Sequence, residues 1–458
     1  MSVVRKALNI LKRYGLKGFL NKAAEKKSAP DRFFDRVKQD YYAKEASLKS
    51  QRIAEGRFLY HPLITVVVPA FSPKEEFFRD LLMSLKAQTY TNFELVIADA
   101  SPQADRTVER LTEEAGDDRF RYFALTENEG ISGNTNRGLR EAKGEYIGFL
   151  DHDDLLTPDA LYEVIHALNQ RRAELLYSDE DKISEDGNYA FQPHFKSDYN
   201  YWLLLSNNYI CHFTVVSRDL LHRISEDGVY LRPEFDGSQD YDFVLRCVEK
   251  TDRICHIPRI LYHWRESASS TAGDSYTKTY TEDAGKRAVE AHLARVGIRA
   301  EVKNRLEIGC YRLSPVPSDQ IGILGRKTIC NGRVDSCGLY YREGGTIGHA
   351  FRGLKASFKG YCRRAVLLQE MSGCLISYAS IHPAAEKKAG KPDLSLPEPL
   401  RSMEYCERVR RAGFSIVVDP EETVVIQEPS PECSLPLEGA PKTDPYFSGV
   451  QKVMEMIQ

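Results

Sequence analysis

A chain of 458 residues is too long for one ordinary domain, so its length predicts two or three folded units. A hydrophobic content of 42% with 28% charged residues is typical of a soluble globular protein, and a net charge of −3 argues against a general nucleic-acid-binding protein. Ten scattered cysteines without a CxxC pair favour reduced thiols in a cytoplasmic protein. No apolar run approaches the roughly 18 residues that a membrane span needs.

The first 60 residues are highly charged and predict an N-terminal helical segment. Residues 1–27 carry eight Lys or Arg against one acid, Glu25, and Val4, Leu8 and Leu11 fall on one helical face. One interpretation is a basic amphipathic helix that binds peripherally to the anionic cytoplasmic face of the inner membrane. The other is a helix that packs on its own domain and leaves its basic face in water.

From residue 61 onward, apolar strands alternate with amphipathic helices. The predicted strands are Leu63–Val68, Phe93–Ala98, Phe120–Leu125 and Tyr146–Leu150, and the predicted helices lie near Glu75–Gln88, Thr107–Glu114 and Asn134–Lys143. This alternation predicts an α/β fold with a mostly parallel, doubly wound, Rossmann-like sheet. The strand ends followed by Pro69, Asp99 and Asp151 then share the carboxyl edge, where open α/β sheets bind ligands.

The fourth predicted strand leads into Asp151-His152-Asp153-Asp154, which places three carboxylates in four positions. Such carboxylates repel one another, and hard oxygen ligands at a strand end suit Mg²⁺ or Mn²⁺ held partly by substrate phosphates. Neither a GxGxxG nor a GxxxxGK[ST] phosphate loop occurs, so a metal would have to hold the phosphate. The alternative is a solvated acidic turn before a helix, capped by Asp154 or Thr157.

The order of these motifs resembles a known family. PAF after the first strand, ADAS after the second, NEGISGNTNRG, GEYIGFLDHDD, YSDEDK, GSQDYD and LYHWR are similar to family 2 glycosyltransferases of the GT-A fold. Within that family they resemble the rhamnosyltransferase-like branch that builds bacterial surface polysaccharides. The resemblance implies a catalytic domain over residues 61–305, after the segment 1–60 and before a C-terminal region 306–458.

The resemblance also implies roles at the donor site. The residues expected to bind the nucleotide-sugar are Pro69, Ala70, Phe71, Asp99, Asn128, Asn136, Arg137, Asp151 and Arg265. The first three would line the base pocket, Asp99 would hydrogen-bond the base, and Asp151 would face the ribose. Asp153 would hold Mn²⁺ or Mg²⁺, with His263 as a candidate further ligand.

Sugar transfer needs a general base for the acceptor hydroxyl, and the resemblance places this base at Asp240. Gln239 stands where the family's motif usually has a glutamate. A base opposite the leaving group implies inversion at the anomeric carbon. The alternative is that Asp240 caps the helix Tyr241–Glu249.

Acceptor recognition is predicted less directly. Three acids follow one another at Asp179, Glu180 and Asp181. They either contact hydroxyls of the acceptor or form a solvated turn.

The C-terminal region contains a faint internal echo. When Arg246 and Pro258 are aligned with Arg408 and Pro420, SQDYDFVLR pairs with LRSMEYCER and Asp240 faces Ser402. The echo predicts a degenerate glycosyltransferase-like α/β half over roughly residues 318–430, which lacks a DxD motif. Such a half could pack on the first, shape the acceptor groove or mediate a homodimer, and chance similarity is the alternative.

Together these observations predict an inverting, metal-dependent glycosyltransferase at the cytoplasmic side of a bacterial membrane. It would move a sugar from a UDP- or dTDP-linked donor to a hydroxyl of a growing surface glycan or lipid-linked acceptor. The competing hypothesis is a non-catalytic nucleotide-sugar-binding or scaffold subunit of a polysaccharide assembly complex. A phosphatase of the haloacid dehalogenase type is disfavoured, because its DxDx[TV] pattern belongs on the first strand.

Overall fold

The computed structural model describes residues 42–266, 275–307, 309–314, 320–433, 436–437 and 439–457. The predicted basic segment, residues 1–27, lies outside this part of the chain. The chain divides into two compact units, each described here by itself. The first comprises Met1–Phe195, Ile210–Ile298 and Leu306–Gly309 as far as they are described, and the second comprises Lys196–Tyr209, Arg299–Arg305 and Cys310–Gln458. Residues 196–209 therefore belong to the second unit, although they lie inside the predicted catalytic domain.

The strands in chain order are β1 Ile64–Ala70, β2 Phe93–Asp99, β3 Phe120–Ala124, β4 Tyr146–Phe149, β5 Leu155–Leu156, β6 Leu175–Ile183, β7 Ala190–His194, β8 Val215–Ser217, β9 Ile254–Arg265, β10 Val302–Asn304, β11 Tyr311–Leu313, β12 Ile321–Cys330, β13 Arg333–Ser336, β14 Leu339–Tyr341, β15 Ile347–His349, β16 Gln369–Glu370, β17 Ser380–Ile381 and β18 Ser415–Ile426.

The described α-helices in chain order are α1 Glu45–Ala54, α2 Glu75–Lys86, α3 Thr107–Ala115, α4 Gly130–Glu141, α5 Ala160–Gln170, α6 Tyr201–Ser206, α7 Arg218–Ile224, α8 Gln239–Val248, α9 Ser275–Val296, α10 Pro383–Ala389, α11 Leu400–Arg411 and α12 Ser448–Ile457. None of the described helices combines the length and the apolar composition that crossing a bilayer requires.

The first unit is built on a nine-stranded sheet with the order β3-β2-β1-β4-β8-β6-β9-β5, in which β7 also pairs with β6. β1 runs parallel to β2 and β4, and β2 runs parallel to β3. Beyond β4 the sheet is mixed, because β6 and β9 are parallel whereas β5, β7 and β8 pair antiparallel. The predicted α/β fold with a mostly parallel sheet is confirmed.

Burial on both faces explains the parallel half. β1 and β2 are apolar along most of their length, and six of the seven β1 residues and all seven β2 residues are buried. Strands covered by helices on both faces read as such continuous apolar runs. α2 covers the sheet with one apolar stripe, and its buried residues are Phe77, Phe78, Leu81, Leu82 and Leu85. At Gly138 of α4, an added Cβ would lie 2.8 Å from Val67, so only glycine allows this close approach of helix to sheet.

Two predicted boundaries differ from the structure. The helix expected from Asn134 begins at Gly130, because the Asn128 side chain accepts hydrogen bonds from the Gly130 amide (3.0 Å) and from Asn134 (2.9 Å) and so fixes the helix start. The helix expected directly after the acidic cluster begins at Ala160, because Leu155–Leu156 first forms β5 on β9.

The second unit contains a five-stranded sheet with the order β13-β12-β18-β16, with β17 also on β12. β12 and β18 run parallel, and β13, β16 and β17 pair antiparallel. Two smaller two-stranded sheets are formed by β10 with β11 and by β14 with β15. The predicted additional α/β region at the C-terminal end is therefore present.

Candidate active site

The strand registers bring the predicted donor residues to one edge of the first sheet. Ala70 at the end of β1 is level with Asp99 at the end of β2. Val67 of β1 is level with Phe149, the last residue of β4, so the acidic cluster begins just beyond the same edge. These are carboxyl ends of parallel strands, where side chains from separate strands meet.

The end of β1 offers an exposed aromatic ring directly after a buried residue. Phe71 is 47% exposed, whereas Ala70 is buried. The Pro69 carbonyl lies 3.2 Å from Nδ1 of His152 and so ties the end of β1 to the loop after β4. An exposed ring at this edge is suited to stacking against a planar base.

Asp99 is buried and already accepts three hydrogen bonds. One carboxylate oxygen accepts from the Ser101 amide (2.9 Å) and hydroxyl (2.5 Å), and the other accepts from the Tyr122 hydroxyl (3.0 Å). Burial and the charge of Asp99 together raise the pKa of Tyr122. The carboxylate is thus fixed in orientation at the end of β2.

Burial and mutual repulsion dominate the acidic cluster after β4. Burial raises the pKa of Asp151, and Asp153 and Asp240 raise it further while His212 lowers it. Burial likewise raises the pKa of Asp154, with Asp153 and Asp151 adding to the effect. A bound cation would offset this repulsion.

Asp154 connects the cluster to β9. Its two carboxylate oxygens accept from the Tyr262 hydroxyl at 2.5 Å and from the Arg265 amide at 2.8 Å. Asp154 is 1% exposed, which excludes the solvated cap considered from the sequence. Its contacts position the loop that carries Asp153.

His212, which the sequence analysis did not select, lies at the centre of the site. Its ring stacks on Tyr262 with 4.4 Å between centroids and 8° between planes. The next residue, Phe213, packs against Gly148 of β4, where an added Cβ would lie 2.7 Å from the ring. The sequence signal was weak, because a single histidine between apolar residues is usually structural.

Asp240 lies in the first turn of α8, where Ser238 is the N-cap, so Asp240 is not the capping residue. Burial raises the pKa of Asp240, and His212 lowers it. The Cys211 thiol lies 3.8 Å from the Asp240 carboxylate. His212 has a ligand atom within 4.8 Å of one of Asp151, and its neighbour Cys211 contacts Asp240, so the donor edge and the predicted base lie on either side of the same segment.

The side chains at this site fit a divalent cation. Within the described part of the chain, one group of three potential ligands has ligand atoms that all lie within 4.8 Å of one another, and it consists of Asp151, Asp154 and His212. Carboxylate oxygens suit Mg²⁺ or Mn²⁺, and an imidazole nitrogen suits a transition-metal ion. Asp153 is half-buried beside this group.

Comparison with protein families gives a match over residues 65–225 to the model described as glycosyl transferase family 2. The matched residues include the strands and the acidic cluster of the donor edge. The chain contains a glycosyltransferase family 2 domain.

Relatives of this glycosyltransferase domain occur in longer proteins. The chain is 38% identical over 262 residues to the uncharacterized protein y4gI of Sinorhizobium fredii and 37% identical over 260 residues to the O-antigen biosynthesis protein RfbC of Myxococcus xanthus. Each match covers 56% of this chain but only 28% and 20% of those proteins, respectively. Among solved structures, S. aureus TarS 1–349 in complex with UDP-GlcNAc matches 50% of this chain and 66% of its own, with 18% identity and a TM-score of 0.42.

Arg265 is fixed within the first unit. Its guanidinium nitrogens donate to the carbonyl oxygens of Asp153 (2.8 Å) and Glu185 (2.8 Å) and to the Asp80 carboxylate (2.9 Å). Arg265 is 1% exposed, and its guanidinium lies over the Phe77 ring. These contacts hold the loop of Asp153 rather than present a charge toward solvent.

The predicted residues of α4 make internal contacts. The Asn136 amide donates to the Leu231 carbonyl (2.7 Å) and accepts from the Tyr230 and Leu231 amides (3.1 and 2.9 Å). Arg137 pairs with Glu129 at the surface. Asn136 therefore anchors the segment that leads to α8.

The three acids predicted to contact the acceptor lie on β6 and not in a turn, and all are buried. Asp179 contacts Nε2 of His256 at 2.8 Å. Glu180 contacts Nδ1 of His194 at 3.3 Å. Each acid thus has a histidine partner on a neighbouring strand.

Asp181 lies 2.5 Å from Nδ1 of His263 on β9 and also accepts from the Tyr42 hydroxyl. The predicted metal ligand His263 is therefore held by a buried carboxylate of β6. Among the described residues it is not a member of the group with Asp151 and Asp154.

Asp242, two residues after Asp240, stabilises the fold. It is fully buried and accepts from Arg246 at 2.9 Å and from Arg232 at 3.0 Å. Removing one partner of a buried ion pair leaves an uncompensated charge. We expect Asp242→Ala to lower the free energy of unfolding by about 3–5 kcal/mol, measured as an earlier midpoint in urea.

Glu234 supplies the matched control, because it faces Arg232 from 3.9 Å and is 61% exposed. Glu234→Ala should change stability by less than about 1 kcal/mol. Equal effects of the two substitutions would contradict the structural role of Asp242.

Proposed function

We propose that the domain transfers a sugar, with inversion, from a UDP- or dTDP-linked donor to a hydroxyl of a bacterial surface glycan or lipid-linked acceptor. The observation that carries this proposal is the convergence of Asp151, from the donor edge, and Asp240, from α8, on Cys211 and His212. Ligand atoms of Asp151 and His212 lie within 4.8 Å of one another, and the Cys211 thiol lies 3.8 Å from the Asp240 carboxylate. The family match supports the reaction class, and the name of the Myxococcus relative supports a surface glycan as product.

Asp240 is the proposed general base. A carboxylate in water is a weak base, and burial raises the pKa of Asp240 toward the range in which it accepts a proton more readily. It takes the proton of the acceptor hydroxyl while the oxygen forms a bond to the anomeric carbon and the bond from that carbon to the diphosphate breaks. Attack from the side opposite the leaving group gives inversion.

The donor edge holds the nucleotide in this proposal. Phe71 stacks on the base, and Asp99 accepts a hydrogen bond from it beside those it already accepts within the protein. Asp151 and Asp153 face the ribose and the diphosphate. A bound Mn²⁺ or Mg²⁺ would neutralise the charge of the leaving diphosphate.

Two residues predicted to bind the donor act instead as positioning residues in this proposal. Arg265 holds the carbonyl of Asp153, and Asn136 holds the segment that precedes α8. Both side chains have their polar atoms committed to protein partners. Their effect on donor binding is therefore indirect.

A ligand screen tests the proposed function. UDP- and dTDP-sugars are added to the full chain with and without Mn²⁺, and the melting temperature is recorded. A ligand that binds only the native state raises this temperature. We expect a rise that requires both a nucleotide-sugar and the cation, together with slow hydrolysis of the same donor. Donor binding without hydrolysis or transfer would favour the non-catalytic binding subunit instead.

Membrane association through residues 1–27 is a separate prediction. Deletion of this segment should abolish cosedimentation with phosphatidylglycerol vesicles and spare activity on a soluble acceptor, because the eight cationic side chains are removed. Phosphatidylcholine vesicles or high salt should mimic the deletion. Equal cosedimentation of the two proteins would favour the packed helix.

A further inference from the structure

The second unit repeats the strand pairing of β6 to β9 in the first unit, where helix α8 carries Asp240. β6 to β9 with their helices are called the first copy here, and β12 to β18 with their helices the second copy. In the first unit, β6 pairs in parallel with β9 and antiparallel with β7 and β8. In the second unit, β12 pairs in parallel with β18 and antiparallel with β13 and β17. The helices also correspond, since α7 and α8 lie between β8 and β9, and α10 and α11 lie between β17 and β18.

The two long parallel strands share an irregularity at a proline. Along β6, the partner on β9 changes from Ile257 to Ile260 in one step, which skips Pro258. Along β12, the partner on β18 changes from Asp419 to Thr423, which skips Pro420. The same alignment of prolines was found in the sequence.

In the first copy a buried arginine joins helix α8 to the end of helix α7, and this contact is called the arginine clamp. On α8, Arg246 donates from Nε to Asp242 four residues earlier, at 2.9 Å. Its Nη1 donates to the carbonyl of Ile224, the last residue of α7, at 2.8 Å.

The second copy has the corresponding clamp. On α11, Arg408 donates from Nε to Glu404 four residues earlier, at 2.6 Å. Its Nη1 donates to the carbonyl of Ala389, the last residue of α10. Matching strand pairing, a proline at the irregularity of each parallel pair and the corresponding clamp favour a structural repeat over chance similarity.

The copies differ where the first one carries the candidate site. Asp240 corresponds to Ser402, whose hydroxyl accepts from the Ile376 amide at 3.0 Å, just as Cys211 contacts Asp240. The residue after Ile376 is Ser377, so Ser377 corresponds to His212.

The acids of β6 also have no counterpart in the second copy at the positions compared here. On β6, Ser178 precedes the bulge and Asp179 follows it, and on β12 the residues at the same places are Arg326 and Lys327. In the same alignment, His263 corresponds to Val425.

The second copy is thus an internal control. Residues with the same contacts in both copies hold the fold, so residues of the reaction are sought among the chemistry-bearing side chains that are present in one copy alone. His212 belongs to the second class. We propose that the imidazole of His212 binds the divalent cation of the donor site together with the Asp151 carboxylate, an inference that rests on the proposed function.

The surroundings of His212 agree with this role. Its ring is held flat on Tyr262, and its ligand atom lies within 4.8 Å of those of Asp151 and Asp154. Its backbone amide, which donates to Glu180 at 3.2 Å, is unaffected by a change of side chain. Among the described residues His263, the ligand expected from the family resemblance, is not in the group of Asp151, Asp154 and His212.

Manganese binding tests the proposal without reference to turnover. Free Mn²⁺ is measured by electron paramagnetic resonance during titration of the full chain, with Mn²⁺ alone and with Mn²⁺ plus UDP. We expect His212→Ala to weaken Mn²⁺ binding at least about tenfold, the minimum effect seen even for residues that only support a ligand. His212→Asp replaces the nitrogen ligand with an oxygen and should restore much of the affinity.

Controls separate ligation from folding. Ser377→Ala, the counterpart in the second unit, should leave Mn²⁺ affinity unchanged, and thermal melts should show that each variant folds. His263→Asn should weaken Mn²⁺ binding less than His212→Ala does.

The outcomes separate this inference from the proposed function. Wild-type Mn²⁺ affinity in His212→Ala would overturn the inference, whatever the affinity of His212→Asp. Donor binding by the same variant would leave the proposed function standing. If His212→Ala does not fold, a folded His212→Asp that binds no Mn²⁺ would overturn it. A wild-type chain that binds neither Mn²⁺ nor UDP would overturn both.

Discussion

Asp240→Asn should lose about 10²–10⁴-fold in turnover and remain folded, because the amide keeps the size of the side chain but cannot take a proton. Donor and Mn²⁺ affinity should stay near those of the wild type, since Asp240 is not among the described side chains whose ligand atoms are grouped for a cation. The measurement is the rate of sugar transfer at saturating donor. Calorimetry on the same sample would report the donor affinity.

The second copy supplies a matched control for this experiment. Ser402, the counterpart of Asp240, is fully buried and accepts from the Ile376 amide. Ser402→Ala should cost some stability in the second unit but leave turnover nearly unchanged. Near-normal turnover in folded Asp240→Asn would remove Asp240 as the base. The nearby acids offer poor replacements, because Asp242 is enclosed by two arginines and Asp181 is held by His263.

Asp153→Ala should abolish Mn²⁺-dependent donor binding. Without this carboxylate, the diphosphate would face Asp151 and Asp154 with a weakened cation site between them, and like charges in a buried site repel strongly. Titration calorimetry with UDP, with and without Mn²⁺, measures the effect. Because the Arg265 bond to residue 153 involves the backbone carbonyl, the substitution spares that contact.

An exposed acid of the same domain serves as the control for Asp153. Asp118 lies in the turn before β3 and is exposed, so Asp118→Ala should leave the calorimetric affinity unchanged. Unchanged UDP affinity in Asp153→Ala, with a preserved Mn²⁺ effect, would remove Asp153 from the donor site. The comparison with His212→Ala would then show which ligands hold the cation.

Some buried acids of the first unit are paired with basic side chains, whereas others lie close to further carboxylates. Asp242 has two arginines, and Asp179 and Glu180 have one histidine each. Asp151 instead faces other carboxylates, and burial raises its pKa. Strongly perturbed carboxylates of this kind are concentrated at functional sites. The contrast separates the acids that hold the fold from those available for chemistry.

The sequence alone determined the parallel half of the first sheet. Its strands are continuous apolar runs and its helices carry one apolar stripe, and both patterns depend on residues close together in the chain. The placement of Asp99 and Asp151 at one edge followed directly, since parallel strands end on the same side. The family motifs and the alignment of Arg246 with Arg408 were also legible as local patterns.

Only the tertiary structure brought the segment Cys211–His212 to both Asp151 and Asp240. β8 pairs with β4 across a long stretch of sequence, and Phe243 of α8 packs against Phe149 of β4. The tertiary structure also showed that Arg265 is committed to protein oxygens, which its charge alone could not reveal. Hydrophobic periodicity states which face of a strand is buried, but it does not state which strand lies beside it. The partners of polar side chains are set by those neighbours, and so the site had to be read from the fold.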